Sequence, residues 1–185
     1  MDIGSRIKYI RKQQNRTQDE IALACGFTNS LLSKIENGKT MPPVATLMKI
    51  AEALGIKVSD LLEENPRQGT IFNPADQSRD AARWIRTDKG YSFYAFASER
   101  RDKAFQPYLI FARKGEVKAH SFSHSGEEFI YMLSGIMKYK VGKVEYTLHP
   151  GDSIYFNSLD DHNLVPQSDT VEYLAFFTDK MASHS

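Results

Sequence analysis

The sequence predicts a two-domain α + β protein, an N-terminal five-helix bundle followed by an all-β barrel, and three observations carry that prediction. Up to residue 65, apolar side chains recur at helical spacing, with capping residues and glycines between the repeats. From Arg83 onward the texture changes to short aromatic and aliphatic runs. Gly115, Gly135, Gly142 and Gly151 punctuate them at intervals that suit a β-sandwich or barrel. Between the two textures, Asn65 to Asp80 holds Pro66, Gly69 and Pro74 and keeps no period, as a linker does. The expected division is residues 1–65, a linker over 66–80, and 81–185.

Each helix has a local cause. Ile3, Ile7 and Ile10 fall at i, i+4 and i+7 and predict a first helix to about Gln14. Thr17 followed three residues later by Glu20 is a capping box, so a second helix starts there and Gly26 ends it. Thr28 caps a third, in which Leu32 and Ile35 face the second helix while Asn29, Ser30, Ser33, Lys34 and Asn37 turn outward. Two short helices joined by a tight glycine turn make a helix-turn-helix. Thr40 to Pro43 supplies a turn and prolines for a first helical turn, and Val44, Leu47, Ala51 and Leu54 continue to Gly55. Ser59 to Glu64 makes the last helix. None is long enough to be stable alone in water, so their apolar stripes must pack together.

In the second half, Tyr91 to Phe96 and Tyr108 to Ala112 read as strands, and Thr70 to Phe72 has strand character. Lys138 to Val141 and Val144 to Leu148 flank Gly142-Lys143 as a hairpin. No apolar run reaches membrane-spanning length, and no signal-like segment opens the sequence, so the expected location is the cytoplasm. Residues 1–65 hold nine basic and eight acidic side chains, and the remainder fifteen of each, so neither half is a basic domain. Within residues 1–16, however, Arg6, Lys8, Arg11, Lys12 and Arg16 face only Asp2, a cluster that suits either phosphate contact or a solvated helix face. The single cysteine, Cys25, reads as a packing residue, with a redox-sensing role as the alternative.

One constellation in the second half carries chemistry. His124 ends a strand, Ser125-Gly126 turns the chain and Glu128 begins the next strand, so both side chains point into one barrel mouth, where His162 joins them from another hairpin. Two imidazoles and a carboxylate form a facial set suited to a divalent first-row metal with open coordination positions. The alternative is a histidine-lined pocket that holds an organic ligand by hydrogen bonds and aromatic walls. Tyr94, Phe96, Tyr108, Phe111, Phe122, Tyr131, Tyr139 and Tyr155 are candidates for such walls, and only the register decides which face inward.

Two resemblances rest on these residues. The order Thr17-Gln-x-Glu20-Ile-Ala, then Cys25-Gly-Phe, then Ser30-x-x-Ser-Lys-Ile-Glu-Asn-Gly-Lys39 resembles the helix-turn-helix of phage repressors and of the xenobiotic-response-element family of bacterial regulators. His124-x3-Glu128-x6-Gly135, with Gly151-x5-Asn157 and then His162, resembles the two motifs of the cupin superfamily, whose barrel is a double-stranded β-helix. Phe122 stands where that family carries its first histidine, and Asn157 and Leu159 stand where it carries a proline and a glycine. His120 shares a strand face with Phe122 at period two.

Together they resemble bacterial one-component transcription regulators in which a cupin sensor binds a small-molecule effector and the helical domain binds operator DNA. Carried over residue by residue, the resemblance implies DNA contact by Gln18, Thr28, Asn29, Ser30 and Lys34. It implies a metal (iron, zinc, manganese or nickel) at His124, Glu128 and His162. A homodimer, held more by the barrels than by the helical domains, is expected. Two alternatives stay open: a mononuclear non-haem iron oxygenase resembling the epoxidase that acts on hydroxypropylphosphonate, and a repressor whose barrel only dimerises.

Overall fold

The computed structural model describes residues 2–62, 69–100 and 103–178. The chain forms two compact units, one comprising Met1–Thr70 with Ser98–Asp102 and the other Ile71–Ala97 with Lys103–Ser185.

The first unit carries α1 (Ile3–Gln13), α2 (Gln18–Cys25), α3 (Asn29–Glu36), α4 (Val44–Leu54) and α5 (Val58–Leu62). The capping box forms as expected: Thr17 Oγ1 accepts from the Glu20 N–H at 3.2 Å, and Glu20 Oε2 accepts from the Thr17 N–H at 2.5 Å. Gly26 closes α2 at φ 68°, and Thr28 Oγ1 caps α3 by accepting from the Leu31 N–H at 3.2 Å. The prolines do not fill the first turn of α4. Pro43 is its N-cap, with an extended ψ of 163°. Glu63 and Glu64 of the expected last helix lie outside the described residues.

Ile7, Ile21, Leu32, Ile35, Leu47 and Leu61 come from all five helices and are at most 1% exposed. Each such side chain contributes roughly 1.5–3 kcal/mol on burial, which is what holds helices of five to eleven residues. α1 approaches α3 so closely that a Cβ on Gly4 would lie 2.1 Å from the Ile35 carbonyl oxygen. Cys25 is 6% exposed, its Sγ–H donates to the Lys49 carbonyl at 3.5 Å, and burial pushes its thiol up to about 11.

In the second unit, a short helix, α6 (Ala75–Arg79), and a 3-10 turn (Ala81–Arg83) precede the strands, so the chain has six α-helices among its described residues rather than five. Of the expected linker, residues 66–68 lie outside the described residues. Thr70 to Phe72 is not a strand: it has no ladder partner among the described residues, and Phe72 is 81% exposed.

The strands are β1 (Ile85–Arg86), β2 (Tyr91–Ala95), β3 (Phe105–Arg113), β4 (Glu127–Ser134), β5 (Met137–Val141), β6 (Val144–Leu148), β7 (Ser153–Asn157), β8 (His162–Pro166) and β9 (Thr170–Thr178). They form a six-stranded antiparallel sheet in the order β1-β2-β3-β9-β4-β7 and a three-stranded one in the order β6-β5-β8. The predicted hairpin is β5-β6, turning at Gly142 with φ 58°.

The inner faces meet in an aromatic core, with the Tyr139 and Phe156 rings 5.8 Å apart across the two sheets. The outer faces differ from each other. On the small sheet Lys138, Lys140, Glu145 and Asn163 share the outer side, with Lys138 and Glu145 ion-paired at 2.7 Å. On the large sheet two cross-strand rows are apolar, Tyr94-Leu109-Leu174-Tyr131 and Pro107-Phe176-Phe129-Tyr155. No helix among the described residues is long and apolar enough to cross a membrane.

Candidate nucleic-acid interface and metal centre

α3 has one apolar and one polar face. Leu32 and Ile35 are buried and anchor its inner face. Asn29, Ser30 and Lys34 stand exposed on the other side, together with the capping Thr28. Thr28 Oγ1 accepts from the Leu31 N–H, which leaves its own hydroxyl proton to donate outward. Gln18, in the first turn of α2, is half-buried, and its Nε2 donates to Glu36 Oε2 at 2.7 Å. Asn29 Nδ2 donates to Asp19 Oδ1 across the turn.

Beneath this surface lies a buried ion pair that the sequence reading passed over. Arg11 grips Glu36 with two charge-assisted bonds, Nε to Oε1 at 2.6 Å and Nη2 to Oε2 at 2.8 Å, and also donates to the Arg16 carbonyl. Burial pushes the Glu36 carboxyl up, but the hydrogen bonds from Arg11 and Gln18 and the Arg11 charge outweigh it, and the net shift is downward. The bonds to Glu36 in turn raise Arg11. One pair thereby ties α1, α2 and α3 together.

The network also revises the reading of the basic cluster. Arg11 is turned inward, Arg6 donates to the Asp60 carbonyl at 3.3 Å, and Arg16 donates to the Ala53 carbonyl. Three of the five cationic side chains therefore hold the bundle together; Lys8, half-buried, donates to Asn37 Oδ1 at 3.4 Å, and Lys12 stands exposed. Charge counting could not separate these roles, because it ignores which helix face each residue occupies.

In the barrel, residues 124, 128 and 162 come together as expected, buried at 2–3% exposure, with donor atoms all within 4.8 Å of one another. His124 lies on the irregular stretch before β4 rather than at a strand end. Gly126 allows the turn to Glu128: its φ is +92°, and a Cβ there would lie 2.0 Å from the Thr178 carbonyl oxygen. His162 opens β8 and is bridged to Phe122.

Nδ1 of His124 lies 3.0 Å from the Ser125 carbonyl and Nδ1 of His162 lies 2.8 Å from the Asp160 carbonyl. A carbonyl can only accept, so each Nδ1 carries the proton and each Nε2 presents a lone pair. Both lone pairs face Glu128 Oε2, at 3.7 and 3.5 Å. Burial holds His162 below its ordinary value, which favours the neutral, ligating form. Among the described residues, His124 Nε2 and Glu128 Oε2 find no hydrogen-bond partner. Two imidazole lone pairs and a carboxylate oxygen converging in a buried site fit a divalent cation.

Tyr139 supports the carboxylate from behind, its hydroxyl 3.4 Å from Glu128 Oε1. Burial first, and the Glu128 charge second, raise the Tyr139 and Tyr173 phenols well above the ordinary range, so both remain proton donors. Of the aromatic candidates, Tyr108, Phe122 and Tyr139 face inward. Tyr94, Phe96, Phe111, Tyr131 and Tyr155 do not, and Tyr94 and Phe111 instead pack against Trp84. Tyr173, Phe156 and Phe177 line the inner side and were missed. The period-two run Val171, Tyr173, Ala175, Phe177 was the signal that could have found two of them. His120 packs edge-on against Phe122 at 4.1 Å and is not one of the three converging donors.

Comparison with known proteins agrees with both halves. The helix-turn-helix family model matches residues 7–61, and the cupin domain model matches residues 109–177. The HTH-type transcriptional regulator PuuR of Escherichia coli (strain K12) is 24% identical over 162 residues, covering 86% of this chain and 85% of its own length. The uncharacterised HTH-type transcriptional regulator y4dJ of Sinorhizobium fredii is 35% identical over 70 residues, 38% of this chain and 88% of that protein. Among solved structures, an HTH_3 family transcriptional regulator from Vibrio cholerae superposes with a TM-score of 0.69 at 21% identity, covering 95% of this chain and 94% of that one. With a helix-turn-helix whose polar outer face is exposed and a cupin barrel after it, the chain belongs to the xenobiotic-response-element type of helix-turn-helix transcriptional regulators.

Proposed function

We propose that the protein is a cytoplasmic, sequence-specific DNA-binding regulator whose cupin domain binds a small-molecule effector at a divalent metal held by His124, Glu128 and His162. The observation that carries the DNA half is the α3 surface, where Thr28, Asn29, Ser30 and Lys34 stand exposed on a helix already capped and anchored. Amide, hydroxyl and ammonium groups on one exposed helix face are what major-groove base edges and phosphates require. Gln18 serves from the first turn of α2 as a phosphate contact and as a link to Glu36.

One such helix covers too few base pairs for an operator, so the reading includes a homodimer on a palindrome with half-sites about 34 Å apart or a multiple of it. The apolar outer face of the large sheet supports dimerisation through the barrels, because Tyr131 and Tyr155 are 40% and 63% exposed there while the other sheet's outer face is charged. At the metal site, the cation would supply open coordination positions for an oxygen- or nitrogen-bearing effector. The chain supplies the three ligands, the carbonyls that orient both imidazoles, and the Tyr139 hydroxyl behind Glu128.

Fluorescence anisotropy with the protein's own upstream DNA and an unrelated duplex, at two salt concentrations, tests the reading. A preference for the upstream DNA that survives higher salt supports it. Equal, weak and equally salt-sensitive binding to both would remove it and bring forward the second reading, a mononuclear iron oxygenase. What favours that second reading is the same two-histidine, one-carboxylate set, and iron content with oxygen uptake would be measured next.

A further inference from the structure

Asp19 is the second residue of α2 and Asn29 the first of α3, and the bond from Asn29 Nδ2 to Asp19 Oδ1 joins them on the exposed side. Neither helix needs this bond as a cap. α2 is capped by Thr17 and Glu20, and α3 by Thr28. The other polar side chains of the first turn of α2 are also engaged, Gln18 with Glu36 and Glu20 with Thr17. Asp19 is the one whose carboxylate is directed at a residue of the reading helix.

A primary amide offers two N–H donors and one carbonyl oxygen. With one N–H of Asn29 held by Asp19, the other N–H and Oδ1 remain, and their order along the helix face is fixed. That order matches the major-groove edge of adenine, where N7 accepts and the N6 amino group donates. Guanine presents two acceptors, N7 and O6, which would leave Asn29 Oδ1 facing an acceptor and set the Asp19 carboxylate near it. The carboxylate also acts on every duplex alike, because its charge opposes the phosphate backbone.

We propose that Asp19 is a positioning residue for DNA reading: by holding one amide proton of Asn29 it fixes the polarity of that amide, so that α3 selects adenine over guanine, while its charge weakens sequence-independent attraction. This rests on the reading of α3 as the operator helix. It assigns Asp19 two effects of opposite sign, which a merely structural residue would not have.

The experiment is selection from randomised duplexes with the full chain as wild type, Asp19→Ala, Asp19→Asn and Asn29→Ala. Anisotropy then follows on the winning duplex, on one carrying guanine for adenine at the selected position, and on an unrelated duplex. Wild type should discriminate about tenfold or more at one adenine. Asp19→Ala and Asn29→Ala should both reduce that ratio to about twofold or less. Asp19→Asn, which keeps an acceptor oxygen, should retain most of it. Both Asp19 variants should bind the unrelated duplex roughly two- to fivefold more tightly.

Undiminished adenine preference in Asp19→Ala overturns the proposal, and so does an equal loss of affinity for all three duplexes. If wild type enriches a sequence and Asn29→Ala enriches the same one, α3 remains a DNA-binding helix and this inference fails. If wild type enriches nothing, the operator reading falls and this inference falls with it.

Discussion

The exposed polar face of α3 and the buried His-Glu-His cluster draw on opposite resources. Thr28, Asn29, Ser30 and Lys34 lie within seven residues of one another, on or beside one helix, in water. His124, Glu128 and His162 span thirty-nine residues, converge from an irregular stretch and two strands, and are almost wholly buried. The first is assembled by local periodicity and can be disturbed one residue at a time. The second exists only while β4, β8 and the Gly126 turn hold register, so its ligands depend on a fold that they do little to stabilise.

The largest expected effect would break the helical half alone. Arg11→Met leaves the Glu36 carboxylate buried beside Gln18 without its cation, and should destabilise the helical unit by about 3–5 kcal/mol in urea unfolding. Metal binding at the barrel should not change. The pair also sets an acid limit. Because folding lowers the Glu36 carboxyl, its contribution is fully present above the unfolded value of about 4.3 and is lost as pH falls through the lower folded value. Wild type should lose stability in that window, and the Arg11→Met difference should shrink there.

Glu128→Gln would break the other half. Removing the one anionic ligand should lower Co(II) affinity by about 100-fold or more, read by calorimetry and by the visible absorption of the bound ion. Binding to the unrelated duplex should be unaffected. Equal Co(II) affinity in the variant and wild type would remove Glu128 from the metal reading.

Asn29→Ala sharpens the comparison at the exposed face. It should weaken binding to the preferred duplex by roughly 1–3 kcal/mol and barely touch the unrelated one. Loss on both would return Asn29 to the surface. The smallest effect is expected from Thr17→Ala, about 1 kcal/mol of stability from the lost cap, measured by thermal unfolding, with the same sequence preference as wild type.

The same contrast explains what could be read in advance. The helix starts at Thr17 and Thr28 and the stop at Gly26 follow from interactions spanning three or four residues, so they were legible without any tertiary contact. The convergence of His124 and Glu128 was legible because they share one turn and a family spacing. The aromatic lining was not, since Tyr131 and Tyr139 have the same composition signal but lie on opposite sides of their sheets, and only strand pairing decides between them. The Arg11–Glu36 pair joins residues twenty-five apart on two helices, and no local pattern announces it. Thr70 to Phe72 shows the reverse failure, a β-like trio that pairs with no strand among the described residues.

Cys25 gives the protein a practical property. With its thiol pushed up to about 11 and its sulfur enclosed between α2 and α4, it is a poor target for maleimides and iodoacetamides. Near neutral pH its thiolate fraction is far smaller than that of an ordinary exposed cysteine. A cysteine introduced at an exposed position such as Lys143, on the β5-β6 turn, would therefore take a fluorophore selectively in the native sequence background. The protein is ready for site-specific labelling, and distance measurements between its two units can begin without first removing the natural thiol.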